Sequence, residues 1–302
     1  MEGLCVYGIR TEKRGGTREK EVLAGRSRAP GRTTAQLLVD RDDSFFFDHT
    51  LDHVPGILVV AGLADLVREE SEGLRPDRRV KLSLDFHRFC GLDDDITLAV
   101  SPLPSGAENE AGWELRAEIG PDVACSGTAV LHQKSSMRFL PAAPVPAGDS
   151  LPAAGLAHRT RPENCLIATA WWHDDRLLAR AQRPPLDHLL WDRPLEQLIE
   201  AARQFATLIG HAGYEKPIDS KFILRTLEAD LPLTPPPGDV YLEWTRRPVN
   251  GRAFDLTMRL YRPTGDGFDE EVGSANFDTL IVNPRQYQTI RFREHRARER
   301  AL

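Results

Sequence analysis

Two stretches of this chain set an Asp-His pair a few residues ahead of a proline and a helical run, at an offset of 139 residues (187 − 48). The first reads Asp48-His49, Pro55, Ala61 and Ala64; the second reads Asp187-His188, Pro194, Glu200 and Arg203. An imidazole working with a carboxylate can remove and return a proton. Half-burial of Glu200 against an apolar wall would raise its pKa into a useful range. Arg203, one helical turn from Glu200, can grip a phosphate or a developing oxyanion in bidentate fashion. The ungapped repeat predicts a duplicated domain in which only the second helix keeps its polar groups. If sites form between the halves, His49 meets Glu200 in one of them, while His188 faces Ala61 and lacks an acid in the other. The bland alternatives stand beside this. His49 can equally cap a helix, and Glu200 with Arg203 at i, i+3 matches an ordinary surface pair worth a few tenths of a kcal/mol. Enclosure of the helix favours a functional pair, because unpaired buried charge is expensive.

Around this nucleus stand Asp48, Asp52, His53, Gln204 and His188 as candidate substrate contacts. Gln204 can orient either partner, Asp52 serves equally well as a helix cap, and Asp187 with His188 reads mainly as structure. His211 reads as a surface or helix-end residue. Trp171, Trp172 and Trp191 are more often core than the lining of an acyl tunnel. Lys216, Lys221 and Arg225 read as a solvated face, with contact to a carrier arm as the alternative.

The elements that position these residues follow the same order in each half. Two short β-runs (EVLAGRSR and TAQLLVD; NCLIATAWW and RLLARAQ) precede one long helix, and several extended runs follow. Ile57 to Val67 is apolar nearly all round, and Leu195, Leu198, Ile199, Ala202, Phe205, Ala206 and Ile209 recur at helical spacing. Asp192 is placed to cap the second helix and Pro194 fits its first turn. Val80, Leu82, Leu84 and Phe86 alternate with polar residues at a period of two. A helix apolar on most sides needs a sheet wrapped around it, which is the hotdog pattern. The expected fold class is therefore α+β, a double hotdog packed as an intramolecular pseudo-dimer with its sheets joined edge to edge. Expected boundaries are an N-terminal domain at 1–140, a Pro/Ala/Gly-rich linker at 141–157, a C-terminal domain at 158–285 and a charged tail at 286–302, in which Arg291 to Arg300 reads as a solvated helix or a frayed end.

At 302 residues with 41% hydrophobic content, the chain is long enough for two cores. A net charge of −6 and the absence of a basic stripe argue against nucleic acid. No apolar run is long enough to span a membrane, and Met1 to Arg18 lacks the apolar stretch of a signal peptide, so a cytoplasmic location is expected. Cys5, Cys90, Cys125 and Cys165 are widely spaced, which predicts free thiols. No metal-ligand spacing and no phosphate-binding glycine loop occurs, so neither metal nor cofactor is expected.

DHTLDHVPGILVV, RPLEQLIEAARQFATLIGHAGYEKPIDSKFIL and the HRTRPENCLI run resemble the A-factor biosynthesis (AfsA-type) tandem hotdog family over roughly Glu21 to Val282. The resemblance implies transfer of a β-ketoacyl group from acyl-carrier protein to a hydroxyl of dihydroxyacetone phosphate, toward γ-butyrolactone autoregulators. The implied partners are an acyl-carrier protein or coenzyme A thioester and a phosphorylated acceptor. The chain departs from the family pattern of Glu and Arg on both helices, since Ala61 and Ala64 stand on the first. A more distant similarity, to β-hydroxyacyl-carrier dehydratases, implies a histidine and an acid carried over to His49 or His188 and Glu200. Acyl transfer is the leading expectation and dehydration or isomerisation the alternative. A non-catalytic binder of an acyl ligand or carrier protein is the third reading.

Overall fold

The computed structural model describes residues 21–71, 78–104, 110–133, 139–142, 151, 153–234, 236–247, 254–264 and 268–299. Of the proline-rich stretch expected to join the halves, residues 143–150 and 152 lie outside these, as do Cys5 and the charged end beyond 299.

The first half runs β1 (Leu23–Ala29), β2 (Arg32–Leu37), α1 (Gly56–Glu70), β3 (Arg78–Phe86), β4 (Ile96–Pro102), β5 (Ala111–Ile119) and β6 (Asp122–Gln133). A short β7 (Phe139–Pro141), the one-turn α2 (Ala153–Leu156) and a 3-10 turn at Pro162–Asn164 follow. The second half repeats the order with β8 (Ile167–His173), β9 (Arg176–Ala181), α3 (Pro194–Leu208), β10 (Lys221–Pro232), β11 (Tyr241–Thr245), β12 (Met258–Pro263) and β13 (Phe268–Val282). It closes with α4 (Pro284–Glu299).

Alternation decides the sheet faces. In β3, Val80, Leu82 and Leu84 are buried while Lys81 and Asp85 are exposed, so one face packs and the other meets solvent. α1 is apolar on most sides because β2, β4 and β5 contact it and α3 lies alongside; α3 in turn packs on β8, β9, β10 and β13. The strands form one antiparallel sheet in the order β1-β2-β4-β5-β6-β3-β10-β13-β12-β11-β9-β8, with β7 added to β13. The junction between halves is the β3–β10 ladder, running from Thr226 opposite Asp85 to Pro232 opposite Arg79. Arg79 ties it sideways, donating to the Asp230 carboxylate at 2.8 Å, the Asp230 carbonyl at 2.7 Å and the Val272 carbonyl at 2.7 Å. The fold is thus the α+β double hotdog that the alternation and the repeat predict.

Beside that junction Gly127 has no room for a side chain, since an added Cβ would lie 1.9 Å from the Ser83 carbonyl oxygen. Backbone cannot retreat as a flexible side chain can. Gly127→Ala is expected to destabilise the chain by about 1–3 kcal/mol or more, measured by chemical denaturation.

Two expectations need correction. Asp192 does not cap α3: the cap position is Arg193, with no side-chain cap bond, and Pro194 opens the helix. The charged tail is not simply solvated, because the first turns of α4 dock on the first half. Tyr287 is buried and donates to Asp52 Oδ1 at 2.6 Å, while Arg291 donates to the Asp52 carbonyl at 2.9 Å. The Arg291 guanidinium also lies 4.5 Å from the Phe89 ring centroid.

Candidate active site

A cavity of about 820 Å³ opens at the junction of the halves. The first half contributes the turn before α1, including His49 and Pro55, then Ile57 of α1 and the end of β3 at Phe86. The second contributes His158, Arg159, Arg203 and Thr207, the start of β10 from Lys221, and Phe277 and Thr279 of β13. Tyr287, Gln288 and Ile290 of α4 complete the wall. The lining mixes apolar side chains, among them Ile57, Phe86 and Phe277, with the polar groups His49, His158, Arg159, Arg203 and Lys221.

His49 lines this cavity. Burial, then the charges of Arg159, Arg203 and Lys221, hold its pKa below the ordinary histidine value, against an opposing pull from Asp48. The ring is therefore neutral near pH 7 and available as a proton acceptor.

Glu200 does not line the cavity, which corrects the expected His49–Glu200 contact. The side chain is fully buried and its oxygens are taken. Oε1 accepts from Arg159 Nη2 at 2.5 Å, Arg203 Nη2 at 2.7 Å and Gln204 Nε2 at 2.8 Å; Oε2 accepts from Arg203 Nε at 2.7 Å. Burial alone would raise its pKa, yet the two guanidiniums prevail and hold it down at about 2. The expected upward shift is thus reversed, since enclosure arrived with two cations. A carboxylate ionised at neutral pH cannot donate a proton, but it can aim the arginines. Arg203 does reach the cavity, while its Nε and Nη2 are held by Glu200.

Gln204 is also buried rather than facing ligand: its Oε1 accepts from Leu166 N at 2.7 Å and its Nε2 donates to the Asn164 carbonyl at 2.8 Å. Asp48, with no side-chain exposure, lies outside the lining too. It accepts from Thr160 N at 2.9 Å, Thr160 Oγ1 at 2.6 Å and Arg161 N at 3.1 Å. A first-half carboxylate thereby pins the 158–161 segment of the second half and sets Arg159 and His158 beside His49. Arg159 is further fixed by donation to the Phe45 carbonyl at 2.8 Å.

Asp52 and His53 do line the cavity, at the α4 side. His53 Nδ1 lies 2.8 Å from Asp52 Oδ1. Hydrogen bonds from His53 and Tyr287, with the Arg291 charge, outweigh partial burial and lower the Asp52 pKa to about 2. Their partners make them the dock for α4, and neither caps α1, whose cap position is Pro55. His188 is outside the lining; its Nδ1 accepts from Leu190 N at 3.0 Å and its ring meets Phe45 edge-on at 4.7 Å. It shapes the turn before α3. Trp171, Trp172 and Trp191 do not line the cavity either. Of the three basic residues after α3, Lys221 and Arg225 border it, Arg225 being paired to Asp278 at 2.7 Å, and Lys216 lies 4.8 Å from the Phe254 ring centroid.

The pseudo-equivalent position holds a smaller cavity of about 230 Å³, lined by Ala64, Val67, Arg68, Leu82 and Leu195 among others. By the repeat offset, Ala64 stands for Arg203 and Leu82 for Lys221. This pocket has no histidine and no counterpart of the Arg203 fork in its lining, and Arg68 is bound to Glu196 at 2.7 Å. Among the described residues no cluster of His, Cys, Asp and Glu could hold a metal ion, and no helix is long and apolar enough to cross a membrane.

Arg159 and His158 escaped sequence reasoning as site residues. The signal available was the HRTRPEN run itself, and the need of an enclosed Glu200 for more positive charge than Arg203 alone provides.

Fold and cavity together define a double-hotdog protein with a cavity lined by both halves. The chain belongs to the family of the A-factor biosynthesis (AfsA) hotdog domain, which matches residues 15–119 and 152–249. A search of curated protein sequences found no match. Among solved structures, the dehydratase domain from the CurJ module of curacin polyketide synthase superposes with a TM-score of 0.59 at 12% identity, covering 87% of this chain and 98% of that one. The dehydratase domain of the polyketide synthase PpsC from Mycobacterium tuberculosis gives 0.56 at 11%, over 89% and 100%. The tesB protein of Mycobacterium avium subsp. paratuberculosis gives 0.55 at 12%, over 85% and 95%. At such identities the likeness is one of fold.

Proposed function

We propose that this protein transfers an acyl group from a thioester, carried by acyl-carrier protein or coenzyme A, to the hydroxyl of a small phosphorylated acceptor resembling dihydroxyacetone phosphate. The observation that carries the reading is His49, its pKa held below the ordinary histidine value by burial and nearby cations, sharing one cavity with Arg159, Arg203 and Lys221, while Glu200 is sealed behind two guanidiniums. Glu200 and Asp48 balance the two arginines in charge, and Lys221 supplies the surplus that attracts an anion. Membership of the AfsA family supports the same reaction class.

In this reading His49 takes the proton from the acceptor hydroxyl as its oxygen attacks the thioester carbonyl carbon. The arginine wall, aimed by Glu200, stabilises the tetrahedral oxyanion or holds the acceptor phosphate. The carbon–sulfur bond then breaks and the His49 imidazolium returns its proton to the leaving thiolate. The products are an ester and a free thiol, with no net proton change. The acyl chain lies along the apolar lining residues Ile57, Phe86 and Phe277.

Dehydration of a β-hydroxyacyl thioester is the second reading, favoured by His49 standing in a dehydratase-like fold. It calls for a group that protonates the leaving hydroxyl, a role that an ionised, enclosed Glu200 does not fill. Comparing dihydroxyacetone phosphate with dihydroxyacetone as acceptor tests the phosphate element. The phosphorylated acceptor is expected to react with a kcat/KM roughly tenfold or more higher, and equal values would remove that element. Arg203→Lys keeps a cation beside Glu200 but loses the guanidinium fork. It should raise the acceptor KM by roughly tenfold while changing kcat less, as read from steady-state kinetics.

A further inference from the structure

His158 and His211 form a hydrogen-bonded pair at the second-half wall of the cavity, and neither has a role in the scheme above. His211 stands at the helix end, one of the two expected places, but is buried rather than on the surface, because α3 ends in a widened turn at Ile209–Gly213 with Tyr214 N bonded to the Ile209 carbonyl at 3.0 Å. Gly210 lets this turn press against Phe222, where an added Cβ would meet the ring at 2.5 Å. Phe222 contacts both imidazoles edge-on, at 5.5 Å and 5.3 Å.

The partners fix the protons. A carbonyl only accepts, so His211 Nδ1, 2.8 Å from the Lys216 carbonyl, carries its hydrogen. His158 Nε2, 3.2 Å from the Ile218 carbonyl, carries its own. The two Nε2 atoms lie 2.8 Å apart, which joins a donor on His158 to a lone pair on His211. With both rings neutral, the single Nε2 hydrogen of His158 is shared between the His211 Nε2 at 2.8 Å and the Ile218 carbonyl at 3.2 Å, and the His158 Nδ1 is then an unprotonated acceptor. Burial, His211, Arg203 and His49 push the His158 pKa down to about 4, in agreement. The residue also adopts φ 55, a left-handed conformation uncommon for histidine.

We propose that His158 accepts, through Nδ1, a hydrogen bond from a second donor of the acceptor substrate (a second hydroxyl or a hydrated carbonyl), apart from the hydroxyl that His49 deprotonates, and that His211 is the positioning residue that locks its tautomer. The inference rests on the transfer reading above. It adds a requirement on the ligand: besides the reacting hydroxyl, the acceptor must present a second hydrogen donor opposite His158, so a hydroxyl there is accepted and a methyl ether in its place is not.

The test combines nitrogen-15 NMR of the imidazoles with two-substrate kinetics of the full chain. In the wild type, His158 should show the Nε2–H tautomer and His211 the Nδ1–H tautomer at pH 7. His211→Phe should release His158 into a tautomer mixture. His158→Phe should raise the acceptor KM by roughly tenfold with the thioester KM unchanged, and His158→Asn, which tolerates the left-handed backbone and keeps an acceptor, should recover part of it. A His158 protonated at Nδ1, or a His158→Phe variant that transfers with an unaltered acceptor KM, overturns the inference alone. A wild type that transfers no acyl group to any hydroxyl acceptor overturns the transfer reading and this inference with it.

Discussion

Glu200→Ala is expected to cost about 3–5 kcal/mol of folding stability, because it strands the charges of Arg159 and Arg203 beneath the helix. Four hydrogen bonds converge on this carboxylate, and its side chain has no exposure. Activity should vanish with it, since both arginines lose their aim. The effect has an acid counterpart. The folded pKa of Glu200, about 2, lies below its ordinary 4.5. A depressed carboxylate stabilises the fold above the unfolded pKa, and that contribution fades as pH falls from about 4.5 toward 2. Denaturation curves at pH 7 and pH 3 should therefore converge between Glu200→Gln and wild type as the medium becomes acid. Equal stability of the two proteins at pH 7 would mean that the cluster adds nothing.

His49→Gln is expected to behave in the opposite way, with kcat reduced by about 10²–10⁴-fold and stability changed by less than about 1 kcal/mol. His49 lines the cavity and anchors none of the cluster around Glu200. Its pKa is held below 6.5 by burial and by Arg159, Arg203 and Lys221. The acid limb of kcat/KM should accordingly fall below the ordinary histidine midpoint, and His49→Gln should flatten it. A variant that keeps more than a tenth of wild-type turnover would remove His49 from the chemistry.

The contrast between these two residues also marks how far the sequence could be read. Alternation in Val80, Leu82 and Leu84, the apolar run from Ile57 to Val67 and the repeated Asp-His turns were enough to expect a sheet wrapped around a helix twice over. Helical spacing put Glu200 and Arg203 on an enclosed face. Spacing could not say what Glu200 would meet there, because Arg159 comes from an irregular segment 41 residues away. That segment has no periodicity, and Asp48 fixes it through contacts 112 residues apart in sequence. The reversal of the expected Glu200 pKa shift follows from Arg203 and this long-range partner acting together. The burial of His211 at the helix end was likewise not legible, since it depends on a widened final turn and on Gly210 meeting Phe222. The docking of α4 rests on the Asp52–Tyr287 contact, which no local pattern in a charged helix announces.

Mass spectrometry of a single reaction tests the central claim most directly. Wild type and His49→Gln are each incubated with a β-ketoacyl thioester and dihydroxyacetone phosphate, and separately with the matching β-hydroxyacyl thioester alone. The account predicts a phosphorylated ester and a free thiol from the wild type, neither from the variant, and no loss of water from the β-hydroxyacyl substrate. Water loss without ester formation, across several chain lengths, would contradict it.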